Sequence, residues 1–289
     1  VLKTPTGEIH GSLEVPKGAG PFHVVVFIAG SGPTDRDGNQ AMSKNDSLKK
    51  LGTALVSRGF ATLRYDKRGT GKSNGVRTKE ATMSLDHFVT DAVGWVQMLR
   101  KDKRFANVSI LGHSQGSLVG AIASRRAKVA TMISVAGAGL PIQEVLRMQL
   151  DGKLPDELKT QAFDIISKLA KGQSVPKPPA ALQSLFRPSV QPFLSSWMKY
   201  DPQAEFAALQ IPILVVNGTT DIQVGVDQAK QLQSASKQAQ LVVLKNMNHV
   251  LTTCTQPEDQ LATYSDPKRP LAPKLVDSIN QFLKSAVQK

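Results

Sequence analysis

The stretch "SILGHSQGSLVG" (residues 109–120) sets a serine, Ser114, between Gly112 and Gly116 at the end of an apolar run. G-x-S-x-G also occurs in ordinary turns, so its flanks decide what it means. Here "NVSIL" reads as a strand, "GHSQG" as a turn and "SLVGAIASRR" as a helix. A sharp strand-to-helix turn projects a serine hydroxyl above the sheet, and glycines flank it because a Cβ there would strike the neighbouring strand or helix. The new helix aims its first amides, beginning with Gln115 N–H, at an oxyanion forming beside Ser114. Ser114 is therefore the candidate nucleophile.

A serine hydroxyl attacks a carbonyl only when a histidine takes its proton and an acid orients that histidine. Of the five histidines, His10 and His23 lie in early strand segments, His87 in a helix, and His113 at the variable position of the turn. His249, in "KNMNHVL", follows the last strand-like run and so belongs to the same sheet edge as Ser114. The acid should leave the end of the preceding strand, and "ILVVNGTTDIQV" offers Asp221 there. Asp201 precedes that strand and Asp227 opens the following helix, so Asp221 is preferred. A second oxyanion donor should come from "GSGPTDRDGN", after the first long strand: the amide of Ser31, with Gly32 as the near alternative.

These residues need a frame. Strand-like runs occur at 23–29, 60–65, 107–112, 129–136, 211–218 and 239–245, β-branched and almost continuously apolar, as in strands covered on both faces. Helical spacing of Leu48, Leu51 and Leu55, and of Leu85, Phe88, Val89, Ala92, Val96 and Leu99 behind a Ser84 N-cap, alternates with them. The pattern predicts an α/β fold with a mostly parallel sheet of about eight strands flanked by helices. "GEIHGSLEVP" alternates in polarity and should form an antiparallel edge. Residues 140–206 break the rhythm and read as a helical cap inserted between two strands, so the core comprises 1–139 and 207–289. The cap follows a strand C-terminus, where α/β sheets bind ligands, and its Met148, Leu150, Phe186, Phe193, Trp197 and Met198 are candidates for a substrate pocket. Gly32 and His113, beside the nucleophile, are further candidates for contact with substrate.

The chain clearly resembles the α/β-hydrolase superfamily. "AGSG" stands where that family often has HGxG, "DKRGTGKS" (66–73) looks like its D-x-R-G-x-G-x-S turn, and "GHSQG", "NGTTD" and "NHV" match its elbow, acid and histidine regions. The order Ser114, Asp221, His249 is the family's order. The resemblance covers about residues 25–285 and is nearest to the carboxylesterase, serine peptidase and dienelactone-hydrolase-like branches. One departure matters: Ala29 replaces the histidine of HGxG, so the oxyanion loop must be held in another way.

Other signals are weaker. "RGTGKS" fails as a phosphate loop because Asp66 stands where glycine is needed; Asp66 and Arg68 read instead as braces of a turn. "DRDGN" lacks the ligand spacing of a calcium loop. The single cysteine, Cys254, reads as a small buried thiol, and no Cys/His cluster has metal-ligand spacing, so no metal is expected. A net charge of +13 is spread over polar helix faces without interleaved aromatics, so a nucleic-acid partner is not expected. No apolar run approaches the roughly 18–20 residues of a membrane-spanning helix. The chain opens at Val1, which suggests a processed mature form or a trimmed chain, and the expectation leans to a periplasmic or secreted bacterial protein over a cytoplasmic one. Oligomeric state stays open.

The chemistry expected is cofactor-free acyl transfer to water on a small-molecule ester of small to medium acyl group. An aminopeptidase-like peptidase or a thioesterase would use the same groups. Glu144, Asp151, Asp156 and Glu157 keep the peptidase open as readers of a peptide amino terminus. A catalytically silent binding protein on the same fold is the alternative outside enzymes.

Overall fold

A computed structural model describes residues 1–76 and 79–287. The strands are β1 (Leu2–Thr4), β2 (Gly7–Ile9), β3 (Gly11–Glu14), β4 (Phe22–Ile28), β5 (Ala61–Tyr65), β6 (Phe105–His113), β7 (Met132–Val135), β8 (Ile213–Gly218) and β9 (Ala239–Leu244). Seven of them form one sheet in the order β3-β5-β4-β6-β7-β8-β9. Every pairing in it is parallel except β3 with β5, the antiparallel edge expected from the alternating N-terminal segment. The sheet thus has seven strands rather than about eight. Residues 7–9 turn back on residues 2–4 as a separate antiparallel pair and add nothing to it.

Helices cover both faces. The chain alternates through α1 (Ser47–Val56), α2 (Leu85–Arg100) and α3 (Gln115–Ala127), and closes with α9 (Val226–Ala235), α10 (Gln260–Thr263) and α11 (Leu275–Val287). Alternate residues of a strand point to opposite faces, so β4 feeds two cores. Val24, Val26 and Ile28 pack with Leu85, Val96, Leu118 and Ile122. Val25 and Phe27 pack with Leu48, Leu51, Ile279 and Phe282 on the other side. Ser84 begins α2 as predicted, and its N–H donates to Nδ1 of His87 at 3.1 Å.

Between β7 and β8 lie α4 (Ile142–Leu150), α5 (Asp156–Ala170), α6 (Gln183–Phe186), α7 (Gln191–Trp197) and α8 (Pro202–Ala207). The first four share a small core of their own, with Ile165, Ile166, Leu169, Phe186 and Leu194. Packing changes partner before residue 206, because Phe206 of α8 is fully buried with the sheet's own residues. Hydrogen bonds tie this helical layer to the start of α2 and the segment before it: Leu85 N–H donates to Ser196 Oγ at 2.8 Å, and Arg187 and Ser189 both donate to Glu80. Among the described residues no helix is long and apolar enough to cross a membrane.

Candidate active site

Ser114 sits between β6 and α3 with φ 55° and ψ −122°, a conformation that L-residues avoid. Such a residue costs on the order of 1–3 kcal/mol and persists only where its surroundings over-determine it. They do so here. A Cβ on Gly112 would lie 2.1 Å from the Gly116 carbonyl oxygen, and one on Gly116 would lie 2.2 Å from that of Ile28. The turn can close only with glycine at both places. Ser114 N–H donates to the Val135 carbonyl at 3.0 Å, tying the elbow to the next strand. Gln115 opens α3, so its N–H has no partner inside the helix.

His249 and Asp221 come from the loops after β9 and β8. His249 Nδ1 lies 2.8 Å from Asp221 Oδ2, with 6% and 0% of the two side chains exposed. The other carboxylate oxygen, Oδ1, accepts from the N–H groups of Gln223 at 2.8 Å and Val224 at 2.9 Å. A carboxylate held this way presents one oxygen to the imidazole, which donates through Nδ1–H and keeps Nε2 free. His249 and Ser114 face one cavity of about 240 Å³. The rival acids are employed elsewhere: Asp201 accepts from Gln203 N–H as the cap of α8, and the exposed Asp227 pairs with Lys230. Cys254 is buried, with its thiol directed at the Gln256 carbonyl.

His113 has a role the sequence did not reveal. Its Nε2–H donates to the His249 carbonyl at 2.8 Å, with the two rings 4.9 Å apart. Burial above all, with the nearby His249 adding to it, lowers its pKa to about 4. His23, 2.8 Å from Ser109 Oγ, is also lowered to about 4 by burial. The unfolded chain binds protons on both near pH 6.5, whereas the native state resists until about 4. Stability is therefore expected to fall as pH drops through that window, by on the order of 3 kcal/mol per histidine. Denaturant midpoints at pH 7, 5.5 and 4 check this, and a His23→Gln variant should show a shallower slope.

The loop after β4 carries Ser31 and Gly32. The Ser31 carbonyl accepts from Thr34 Oγ1 at 2.7 Å and Gln40 Nε2 at 3.2 Å. Lys67, which the sequence did not single out, donates from Nζ to the carbonyls of Gly30 and Gly32, the latter at 2.7 Å. Its neighbours brace the turn as expected: Asp66 accepts from Arg36 N–H at 2.8 Å and Lys72 N–H at 2.9 Å, and Arg68 Nε donates to Asp91 at 2.8 Å. The one hint of Lys67's role was the loop histidine replaced by Ala29.

Two further cavities meet the elbow region. One of about 250 Å³ touches Ser31, Ser114 and Gln115 and is walled by Leu118, Leu140, Ile142, Val145, Leu146 and Trp197. The other, about 540 Å³, touches Ser31, Gly32, Lys67 and Gln115 and runs between Phe88, Phe193 and Trp197. Phe193 and Trp197 thus stand on cavity walls. Met148 and Phe186 line none of these three cavities: Met148 is 60% exposed on α4, and Phe186 is fully buried inside the helical layer's own core. Leu150 and Met198 lie in that core too. An amphipathic helix shows which of its residues are apolar, not whether they meet a core or a cavity. Glu144, Asp151, Asp156 and Glu157 face outwards, three of them toward Arg147 or Lys159. The acid on the larger cavity's wall is instead Glu80, engaged by Arg187 and Ser189.

A profile of the serine aminopeptidase S33 family matches residues 43–189. The esterase EstD of Thermotoga maritima is 28% identical over 256 residues, 83% of this chain and 57% of that protein, so the chain spans little more than half of that relative's length. Est1E from Butyrivibrio proteoclasticus with ferulic acid bound superposes with a TM-score of 0.63 at 16% identity, over 97% of this chain and 96% of that one. A thermophilic esterase from Thermogutta terrifontis with malate bound gives 0.59 at 17% identity, over 99% and 97%. At such identities the likeness speaks for the fold alone. With its parallel sheet, its strained serine turn and the matched profile, the chain belongs to the serine aminopeptidase S33 family and has the α/β-hydrolase fold.

Proposed function

We propose that the protein is a serine carboxylesterase acting on esters of small to medium acyl group through an acyl-enzyme. The observation that carries this reading is the strained Ser114 facing the same cavity as His249, whose Nδ1 meets Asp221 at 2.8 Å. Ser114 Oγ attacks the ester carbonyl while His249 Nε2 takes its proton. The Ser31 and Gln115 amides stabilise the oxyanion. His249 then protonates the departing alcohol, and water, activated by the same imidazole, releases the acid. Asp221 holds the tautomer throughout.

Residues 140–206 serve as a lid, with Leu140, Ile142, Val145 and Trp197 supplying apolar wall beside Ser114. Those walls suit an acyl chain, and the outward-facing acids of α4 and α5 do not suit the reading of a peptide amino terminus. The esterase relative supports the same choice, while the family's aminopeptidase description keeps peptide hydrolysis as the second reading. The test is a para-nitrophenyl ester series of two to sixteen carbons beside aminoacyl anilides, with fluorophosphonate labelling. Turnover of the shorter esters and labelling at Ser114 are expected. Preference for anilides overturns the ester choice, and absence of both turnover and label makes the protein a binding module.

A further inference from the structure

Lys67 follows β5 and is 3% exposed, yet among the described residues it forms no ion pair. Burial lowers its pKa to about 7. A buried ammonium is unfavourable unless strong hydrogen bonds replace its water. The partners on hand are the Gly30 and Gly32 carbonyls, with the Phe88 ring 5.5 Å away. Its field also reaches the elbow, being among the influences that keep His113 neutral.

Those two carbonyls flank Ser31. In a planar trans peptide the C=O and the following N–H point in opposite directions. Drawing the Gly30 oxygen to Lys67 therefore sets the direction of the Ser31 N–H. Gly30 abuts the nucleophile, since a Cβ there would lie 3.1 Å from Ser114 Cβ, so this peptide plane is fixed relative to the serine. The next carbonyl, of Ser31, is anchored by Thr34 and Gln40, and that of Gly32 again by Lys67. Gly32 itself has φ 71°, which suits glycine. Three successive carbonyls are thus held, two by one side chain, and Pro33 has no N–H to compete.

We infer that Lys67 is the positioning residue of the oxyanion loop: by holding the Gly30 and Gly32 carbonyls it aims the Ser31 amide at the substrate's carbonyl oxygen. The inference rests on the esterase reading above. It also explains how the loop keeps its shape where Ala29 replaces the family's histidine: the anchor comes from the loop after the neighbouring strand.

The test compares wild type with Lys67→Met in the full chain, using para-nitrophenyl butyrate and an aliphatic trifluoromethyl ketone, whose hemiketal with Ser114 needs the same oxyanion donors. Loss of one donor's alignment should lower kcat by roughly 10²- to 10³-fold. KM should stay within threefold, and ketone affinity should fall in proportion to kcat/KM. If Lys67→Met does not fold, Lys67→Gln, which keeps one donor, should still lose at least tenfold in kcat with the same parallel. Unchanged kcat in the folded variant overturns the proposal, and so does a lowered kcat with unchanged ketone affinity, which marks a merely structural lysine. A wild type that turns over no ester overturns the esterase reading and the proposal with it, whereas an active wild type matched by an equally active variant overturns the proposal alone.

Discussion

Ser114→Ala is expected to lower kcat on a para-nitrophenyl ester by about a millionfold, leaving the slow residual rate that binding and oxyanion donors supply. The substitution keeps Cβ, so the elbow's glycine contacts and the Ser114 N–H bond to Val135 are untouched. The melting temperature should therefore barely move, which separates lost chemistry from lost fold. His249→Ala should cost about as much, and the double variant no more than either, because in the proposed mechanism nucleophile and base act as one unit. Steady-state assays on the three proteins, with fluorophosphonate labelling, check this. Activity retained within tenfold by Ser114→Ala would place the nucleophile elsewhere.

Asp221→Asn should lower kcat at neutral pH by about 10⁴-fold, and the structure explains the severity. Oδ1 accepts two backbone N–H groups, from Gln223 and Val224. The new amide must put its oxygen there, which turns its NH₂ toward His249 Nδ1. Nδ1 then accepts instead of donating, the proton moves to Nε2, and the imidazole can no longer take the serine proton. Because the two backbone bonds survive, the fold should persist. The measurements are kcat for the ester and the rate of fluorophosphonate labelling, which should fall together. An enzyme that loses less than tenfold would show that Asp221 does not set the tautomer.

Both predictions concern residues that were readable before any coordinates, and the reason is physical. The Ser114 turn is encoded over a few residues: an apolar β-branched run, two glycines where no Cβ fits, and a helix start. His249 and Asp221 were readable because parallel strands put the loops at their C-terminal ends on one sheet edge. The strands themselves announced their double burial, with Val24, Val25 and Val26 fully enclosed. Lys67 left almost no trace, since a lysine beside a loop is by default solvated, and only the meeting of the loops after β4 and β5 buries it. The bond from His113 to the His249 carbonyl joins residues far apart in the chain and has no local signature.

The helical layer shows the division most plainly. The sequence offered Met148, Phe186, Phe193 and Trp197 alike as candidates for a substrate pocket, but the packing of that layer on the sheet leaves Met148 in solvent, sinks Phe186 into a private core and sets Phe193 and Trp197 on cavity walls. By itself the sequence determined the long parallel strands and the serine turn, because turn sterics and strand burial are short-range demands on residue type. Only the tertiary structure decided what holds the loop after β4 and which side chains line the cavities, because those depend on how distant segments pack.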